Sequence, residues 1–266
     1  MTILSAHCPH CPDPDSMNLS ELCSHLDSYL RISEVEDDPN ALNGLQVENS
    51  GTVSHVAAMV DACQATIDEA GRRGADLLLV HHGLFWAGLE PVTGRSGRRI
   101  RALVEHGMAV YSAHIPLDMH PEVGNNAVLA RMLGMKDTEW FGDYHGQRIG
   151  VAGSVNMSLA QLADRLQTEL KAKPHVIATG PTEVRRVGVI SGGAGNMIRQ
   201  AVDAGLDTFI TGEGAHHTHF DAEEWGVNVI YAGHYATETV GIKALAAHVE
   251  EKFGLPWEFI DHPTGL

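Results

Sequence analysis

The feature that most constrains this chain is an internal repeat. Sliding the sequence along itself by 131 residues lays VSHVAAMVDACQATIDEAGRRGADLLLVHHG (53–83) over VRRVGVISGGAGNMIRQAVDAGLDTFITGEG (184–214). Val53/Val184, Val56/Val187, Ile67/Ile198, Ala70/Ala201, Gly74/Gly205, Asp76/Asp207 and Gly83/Gly214 coincide. In the first copy an apolar run (54–60), a helical stretch closed by glycine (65–74) and a second apolar run (75–80) follow in order, which is a β-α-β plan. At an offset of 120, GMAVYSAHIPLD (107–118) lies over GVNVIYAGHYATE (226–238), one residue longer, with Tyr111, His114 and Asp118 opposite Tyr231, His234 and Glu238. Each copy therefore ends a strand in a histidine followed four residues later by a carboxylate. Strands alternating with helices imply mainly parallel sheets, and the duplication implies an α/β protein of two similar lobes.

Other elements fill in around the repeat. Pro9, Pro12 and Pro14 break any helix in residues 1–17, which read as a flexible leader. Asn18 can cap a helix with Glu21 three residues on, and Leu19, Leu22, Leu26, Tyr29 and Leu30 recur at helical spacing. Between the copies, IGVAGSVN (149–156) reads as a strand, and Ser158 with Gln161 caps a helix through Leu170. A final helix carries Ile242, Leu245, Val249 and Phe253 on one stripe. Glu238, four before Ile242, belongs to that inward face, where a carboxylate is costly unless paired or bound to metal.

The charge balance narrows the partners. Lys+Arg 18 against Asp+Glu 34 leaves a formal charge of −16, which repels phosphate backbones and anionic lipid, so nucleic-acid and membrane-surface binding are disfavoured. No apolar run approaches the roughly 20 residues of a membrane span. The first residues lack the basic and apolar regions of a secretory signal, and four cysteines make no disulfide framework, so a cytoplasmic protein is expected. The unusual count is histidine, 17 in all.

Three strand-end groups concentrate these imidazoles. His81 and His82 follow a buried strand directly; neighbouring strand residues point to opposite faces, so the pair serves one metal only if the chain turns at Gly83, and otherwise two adjacent metals. His234 and Glu238 stand four apart at a helix start and can face one point. His114, Asp118 and His120 follow a third strand, where Pro116 argues against assuming helical geometry. Taken singly, each group has an ordinary structural reading; taken together, two of them related by the repeat, they point to a metal centre of mixed nitrogen and oxygen donors, suited to zinc, manganese, iron or similar ions and not to an iron–sulfur cluster.

Several weaker signals stand beside these. SGGAGN (191–196) lacks the full dinucleotide and P-loop fingerprints and reads first as a tight β-α turn. Cys8 and Cys11, with His7 and His10, lack the second CxxC of a zinc module. Glu213, opposite His82 in the repeat, either reaches the site or caps a helix, and Asn43 and Gln46 either contact a substrate or make a turn.

With NGLQVE (43–48), VHHGLFW (80–86), HIPLDMHPEVGNNAVLARMLG (114–134), SGGAG (191–195), TGE (211–213) and AGHYATETVGIKAL (232–245), nearly the whole folded chain resembles the dinuclear-metal-centre family related to NGG-interacting factor, many members of which are labelled GTP cyclohydrolase I type 2. The resemblance implies two divalent ions held by His81, His82, Asp118, His234 and Glu238, the last bridging both. It also implies interlinked lobes whose C-terminal segment rejoins the first, which sets the lobes at 18–137 plus 226–266 and at 138–225. A toroidal homohexamer with sites facing an internal cavity is implied as well, and hydrolysis of a small nucleotide-like or phosphorylated substrate, with attack at C8 of the guanine of GTP. His114, outside the ligand set, is expected to orient water or carry protons. The extra histidines of GEGAHHTHF (212–220), His216, His217 and His219, depart from the family's pattern. A non-catalytic metal-binding scaffold is the rival expectation.

Overall fold

The structure is a computed structural model describing residues 16–266 except 87 and 89. Most of the expected leader, with Cys8 and Cys11, falls outside the described residues. The first half runs β1 (Met17–Asn18), α1 (Leu19–Tyr29), β2 (Gly44–Val47), β3 (Thr52–Val53), β4 (Val56–Asp61), α2 (Gln64–Arg72) and β5 (Leu77–His82). It continues through α3 (Gly94–His106), β6 (Ala109–Ser112), α4 (Ile115–Asp118) and α5 (Asn125–Met132). The second half runs β7 (Lys136–Tyr144), β8 (Gln147–Ser158), α6 (Leu159–Leu170), β9 (His175–Ile177), β10 (Glu183–Val189), α7 (Ile198–Asp203) and β11 (Thr208–Thr211). It closes with α8 (Thr218–Trp225), β12 (Asn228–Tyr231), α9 (His234–Phe253) and β13 (Trp257–Phe259). None of the described helices is long and apolar enough to cross a membrane.

The elements form a mixed α/β fold on two large sheets, with β1 and β3 making a separate antiparallel pair. One has the order β13-β4-β5-β6-β2, parallel except for β2; the other is β7-β8-β10-β11-β12-β9, with β10, β11 and β12 parallel and its flanks antiparallel. Those flanks were not anticipated. β7 and β8 form a hairpin through His145 and Gly146, both at positive φ (51° and 81°), the backbone of a two-residue primed turn.

The repeat survives in three dimensions, in register over its first two strands. Val56 pairs with Leu77 in the first sheet and Val187 with Thr208 in the second, each 131 residues on. Leu77 then pairs with Ala109 and Thr208 with Asn228, so the third strands match one residue out from the 120-residue alignment: Tyr111 stands opposite Leu79, whereas Tyr231 stands opposite Thr211. The shared aspartate explains how the register is pinned: Asp76 accepts from the backbone N–H groups of Ser54 and His55, and Asp207 from those of Arg185 and Arg186, at 2.8–3.1 Å. The shared glycine serves the turn before each of these strands, since Gly74 and Gly205 stand at φ 74° and 69°.

The local helix signals act as read. The Asn18 side chain accepts from Glu21 N, and Ser158 and Gln161 cap α6 reciprocally. The lobes are joined by exchange of helices. α5, which follows the first sheet, buries Leu129 and Ala130 against the second sheet beside Leu162 and Leu166 of α6. α9, which follows the second sheet, buries Ile242, Leu245 and Val249 against the first beside Leu22 and Leu26 of α1. Each such leucine, isoleucine or valine contributes on the order of 1.5–3 kcal/mol. β12, at 228–231, pairs with β11 in the second sheet before α9 crosses to the first. Where the exchanged helices meet, Gly241 N donates to Asn125 Oδ1 at 2.7 Å, and a Cβ on Gly241 would overlap that amide.

Two outcomes follow for stability. Asp76→Ala should lower the unfolding free energy by about 1–3 kcal/mol in urea titrations, since it strands two half-buried N–H groups, and Asp207→Ala by less, since of its two partners only Arg186 N is half-buried. Gly241→Ala should cost a similar ~1–3 kcal/mol by overpacking the α5–α9 contact, and an unchanged urea midpoint would refute that contact.

Candidate metal centre

Both crossovers leave the carboxyl ends of parallel strands, and there the structure gathers the expected residues. His81 is fully buried at the end of β5, with His82 beside it and ring centroids 4.7 Å apart. The two rings converge on one space although they are strand neighbours, because each is drawn by a different partner. His81 Nδ1 donates to the Ala113 carbonyl at 2.9 Å, and His82 Nδ1 donates to Asp61 Oδ1 at 2.9 Å. His234, at the start of α9, donates through Nδ1 to Glu213 Oε1 at 2.8 Å, and His114 donates through Nδ1 to Asp37 Oδ1 at 2.7 Å. A carbonyl or carboxylate only accepts, so all four rings carry a proton on Nδ1 and turn Nε2 inward.

Glu238 is the hub. It is 3% exposed, with Oε1 standing 3.1 Å from His234 Nε2 and 3.6 Å from His81 Nε2, and Oε2 standing 3.4 Å from His82 Nε2. Asp118 Oδ2 lies 3.7 Å from His81 Nε2, while its Oδ1 accepts from Asn125 Nδ2 and Ser191 Oγ at 2.8 and 2.9 Å. Such spacings suit donors around a common ion: four atoms at about 2.0–2.1 Å from a tetrahedral zinc are roughly 3.3 Å from one another. His81 Nε2 and Glu238 Oε2 are also buried without a hydrogen-bond partner. Two orphaned polar atoms in the interior are costly unless something binds them.

Two groups of three donors each have all members within 4.8 Å of one another: His81, His82 and His114, and His82, His234 and Glu238. The buried groups can thus hold a metal, and His114 stands among the donors as well as beside the cavity. The electrostatics agree. Burial opposes a charge on His81, but Asp118 and Glu238 outweigh it and lift its pKa to about 9. His234 is lifted to about 9 by its contact with Glu238, against burial and with help from Glu213. Burial would raise the Glu238 carboxyl, yet the surrounding imidazoles hold it well below the usual carboxylate range. The pocket is built for positive charge.

Several side chains that the sequence left ambiguous find their place here. Glu213 reaches the site and orients His234. Asn43 holds the His114–Asp37 pair, donating to Asp37 Oδ2 and accepting from His114 N, both at 2.8 Å. Gln46 pins the turn after His82 by accepting from Leu84 N at 2.7 Å. The glycine turn of 191–196 is packed against the hub: a Cβ on Gly192 would overlap Glu238 Oε1. His120 is elsewhere, its Nδ1 accepting from the N–H groups of Glu122 and Val123. His216, His217 and His219 are exposed around the start of α8, away from the donors. Asp37, Asp61, Asn125 and Ser191 were missed as site residues. Asn125 and Ser191 lie inside segments of the family resemblance that assign them no role, and Asp37 and Asp61 carry no motif of their own.

A cleft of about 690 Å³ opens on the donors, with His82, His114, Asp118, His234 and Glu238 on one side and Ile149, Ile190 and Met197 among its apolar walls. It is large enough for a small-molecule substrate.

Comparison with known proteins agrees with this architecture. The chain matches the Duf34/NIF3 (NGG1p interacting factor 3) family over residues 17–264. It is 46% identical over 248 residues to the "GTP cyclohydrolase 1 type 2 homolog" of Deinococcus radiodurans, covering 92% of this chain and 94% of that protein. The crystal structure of TTHA1606 from Thermus thermophilus superposes with a TM-score of 0.86 at 46% identity, covering 94% of this chain and 100% of that one. The protein ybgI, described as of unknown function, gives a TM-score of 0.86 at 38% identity over 94% of this chain and 100% of its own. With the match running from β1 to the C-terminal segment, this chain belongs to the Duf34/NIF3 family.

Proposed function

We propose that the protein is a dinuclear metal-dependent hydrolase acting on a small nucleotide-like or phosphorylated substrate, with GTP the first to test because relatives carry the name GTP cyclohydrolase 1 type 2 homolog. The observation that carries this reading is the buried cluster in which Glu238 faces His81, His82 and His234 at 3.1–3.6 Å and Asp118 faces His81 at 3.7 Å, with His81 Nε2 and Glu238 Oε2 left without a hydrogen-bond partner. His81, His82, Asp118, His234 and Glu238 are the residues that would hold the ions. Zinc, manganese and iron all suit this donor set. When bound, such ions supply Lewis acidity and bring a water molecule's pKa towards neutrality.

The chain's own groups do the rest. Asp37 fixes His114 with Nδ1–H donated and Nε2 facing the cleft, so that Nε2 can accept a proton from the attacking water and return it to the leaving group. Burial works against the Asp37 charge, but His114, Asn43 and the Asp38 N–H outweigh it and hold the carboxyl below its ordinary range, ready to balance an imidazolium. Trp86 stands edge-on to His82 and His114, with centroids 5.6 and 4.9 Å away, and screens both from solvent. Assembly as a homohexamer and a cytoplasmic location belong to the same reading, and light scattering with size exclusion tests the first.

Metal analysis of the purified chain should give about two ions per protomer and chelator-sensitive hydrolysis. Glu238→Gln, isosteric and neutral, should keep the circular dichroism spectrum while losing metal and at least 100-fold in turnover. Two retained ions with no turnover on any phosphorylated substrate would mark a metal-binding scaffold instead. Asp61→Ala and Glu213→Ala, which release the orienting bonds on His82 and His234, should each weaken metal binding about 10–100-fold in competition with a chromophoric chelator.

A further inference from the structure

The sequence GRSGRRIR (94–101) sets Arg95, Arg98, Arg99 and Arg101 within about two turns of α3, in a chain whose formal charge is −16. Arg95 and Arg99, four apart, share a helix face. Both line a second cavity of about 730 Å³, together with Ser96 of the same helix. Among the described residues no carboxylate forms an ion pair with either guanidinium and neither donates a hydrogen bond, while Arg99 Nε is buried without a partner. Like charges at this spacing repel, and a buried N–H left unpaired is costly, so the pair is set for a ligand that supplies the missing negative charge.

The cavity also says where that ligand leads. Asp61, His82 and Trp86 line it and equally line the cleft at the metal donors, so the two spaces meet at His82. Trp86, tied by its Nε1–H to the Gly83 carbonyl at 3.0 Å, stands at the junction. Leu84, Phe85 and Ile100 make the remaining wall apolar; the carboxylates facing the space are Glu90 and Asp61, the latter engaged with His82. A basic end, an apolar and aromatic middle and an opening onto metal donors describe a binding site for an extended anion.

We propose that this cavity binds the phosphate or polyphosphate group of the substrate. Arg95 and Arg99 grip the phosphate oxygens, for which the guanidinium fork is well shaped. An apolar or planar portion packs against Phe85 and Trp86, and the reacting bond lies beyond His82. The link to the reacting bond rests on the hydrolase reading; the anion site stands apart from it.

The test is calorimetric titration of the metal-loaded protein with inorganic pyrophosphate, with metal content measured again afterwards. Arg95→Gln/Arg99→Gln should bind at least tenfold more weakly than the parent with unchanged metal content. Arg98→Gln/Arg101→Gln, on residues outside the cavity lining, should stay within twofold. Equal affinity of parent and Arg95→Gln/Arg99→Gln, no binding by the parent, or equal losses in both double variants would overturn the proposal, the last by showing general attraction to a basic helix. Kinetics separate the two readings. Turnover of a phosphorylated substrate with KM unchanged in Arg95→Gln/Arg99→Gln refutes the pocket alone, whereas arginine-dependent binding without turnover refutes the hydrolase alone and leaves the anion site standing.

Discussion

A carboxylate buried at a crossing of two chain segments governs this molecule. Glu238 stands one turn into α9, the helix that leaves the second sheet and covers the first, so its side chain is carried into the seam between lobes. An isolated carboxylate there would be neutralised or expelled. Instead, His81 and His82 approach from β5 and His234 from its own helix, and Gly192 lets the backbone of the second lobe come close. Asp118 sits on the reciprocal crossing, just before α5 passes to the second sheet. Asn125 ties the two crossings together, donating to Asp118 and accepting from Gly241 of α9. Helix exchange and the site are thus one arrangement: moving either crossing separates the acidic donors.

The duplication built matching scaffolds and then divided the chemistry between them. Backbone register, the N–H-binding aspartate and the turn glycine are kept in both copies. The strand-end side chains are not. His82 faces Glu238 in one copy, while its counterpart Glu213 holds His234 in position in the other. A position that presents a donor in one lobe supports a donor in its twin. Conversely, Asp118 and Glu238 remain carboxylates in both, which is why the histidine–carboxylate spacing could be read from either segment.

What could be read from the sequence was what depends on neighbours along the chain. The caps at Asn18 and Ser158, the buried stripe of α9 and the parallel strands of the repeat are short-range patterns, and each was legible. The gathering of His81, His82, Asp118, His234 and Glu238 also followed, from strand ends and from the family resemblance. What escaped depends on contacts far apart in sequence. Asp37 meets His114 across 77 residues and Ser191 meets Asp118 across 73, with no spacing rule to announce either. The antiparallel flanks of the second sheet escaped because His145-Gly146 is a weaker turn signal than Asn-Gly or Asp-Gly. The exchange of α5 and α9 escaped periodicity altogether, since an apolar stripe states that a helix is buried and not against which sheet.

Four imidazoles oriented by the same nitrogen make the arrangement more than a cluster of histidines. His82, His114 and His234 each give their Nδ1–H to a carboxylate, and His81 gives its own to a carbonyl. A carboxylate partner fixes the plane of the ring and the nitrogen that faces inward. His81, with the neutral partner, is the ring that faces both Asp118 and Glu238. The inner carboxylates therefore supply negative charge where the outer one is missing. Without a cation, the same charge draws protons onto His81 and His234; a metal entering the site would displace them, which couples occupancy to proton release. The centre's demand for positive charge is a property of the fold itself, set by where the exchanged helices leave their carboxylates.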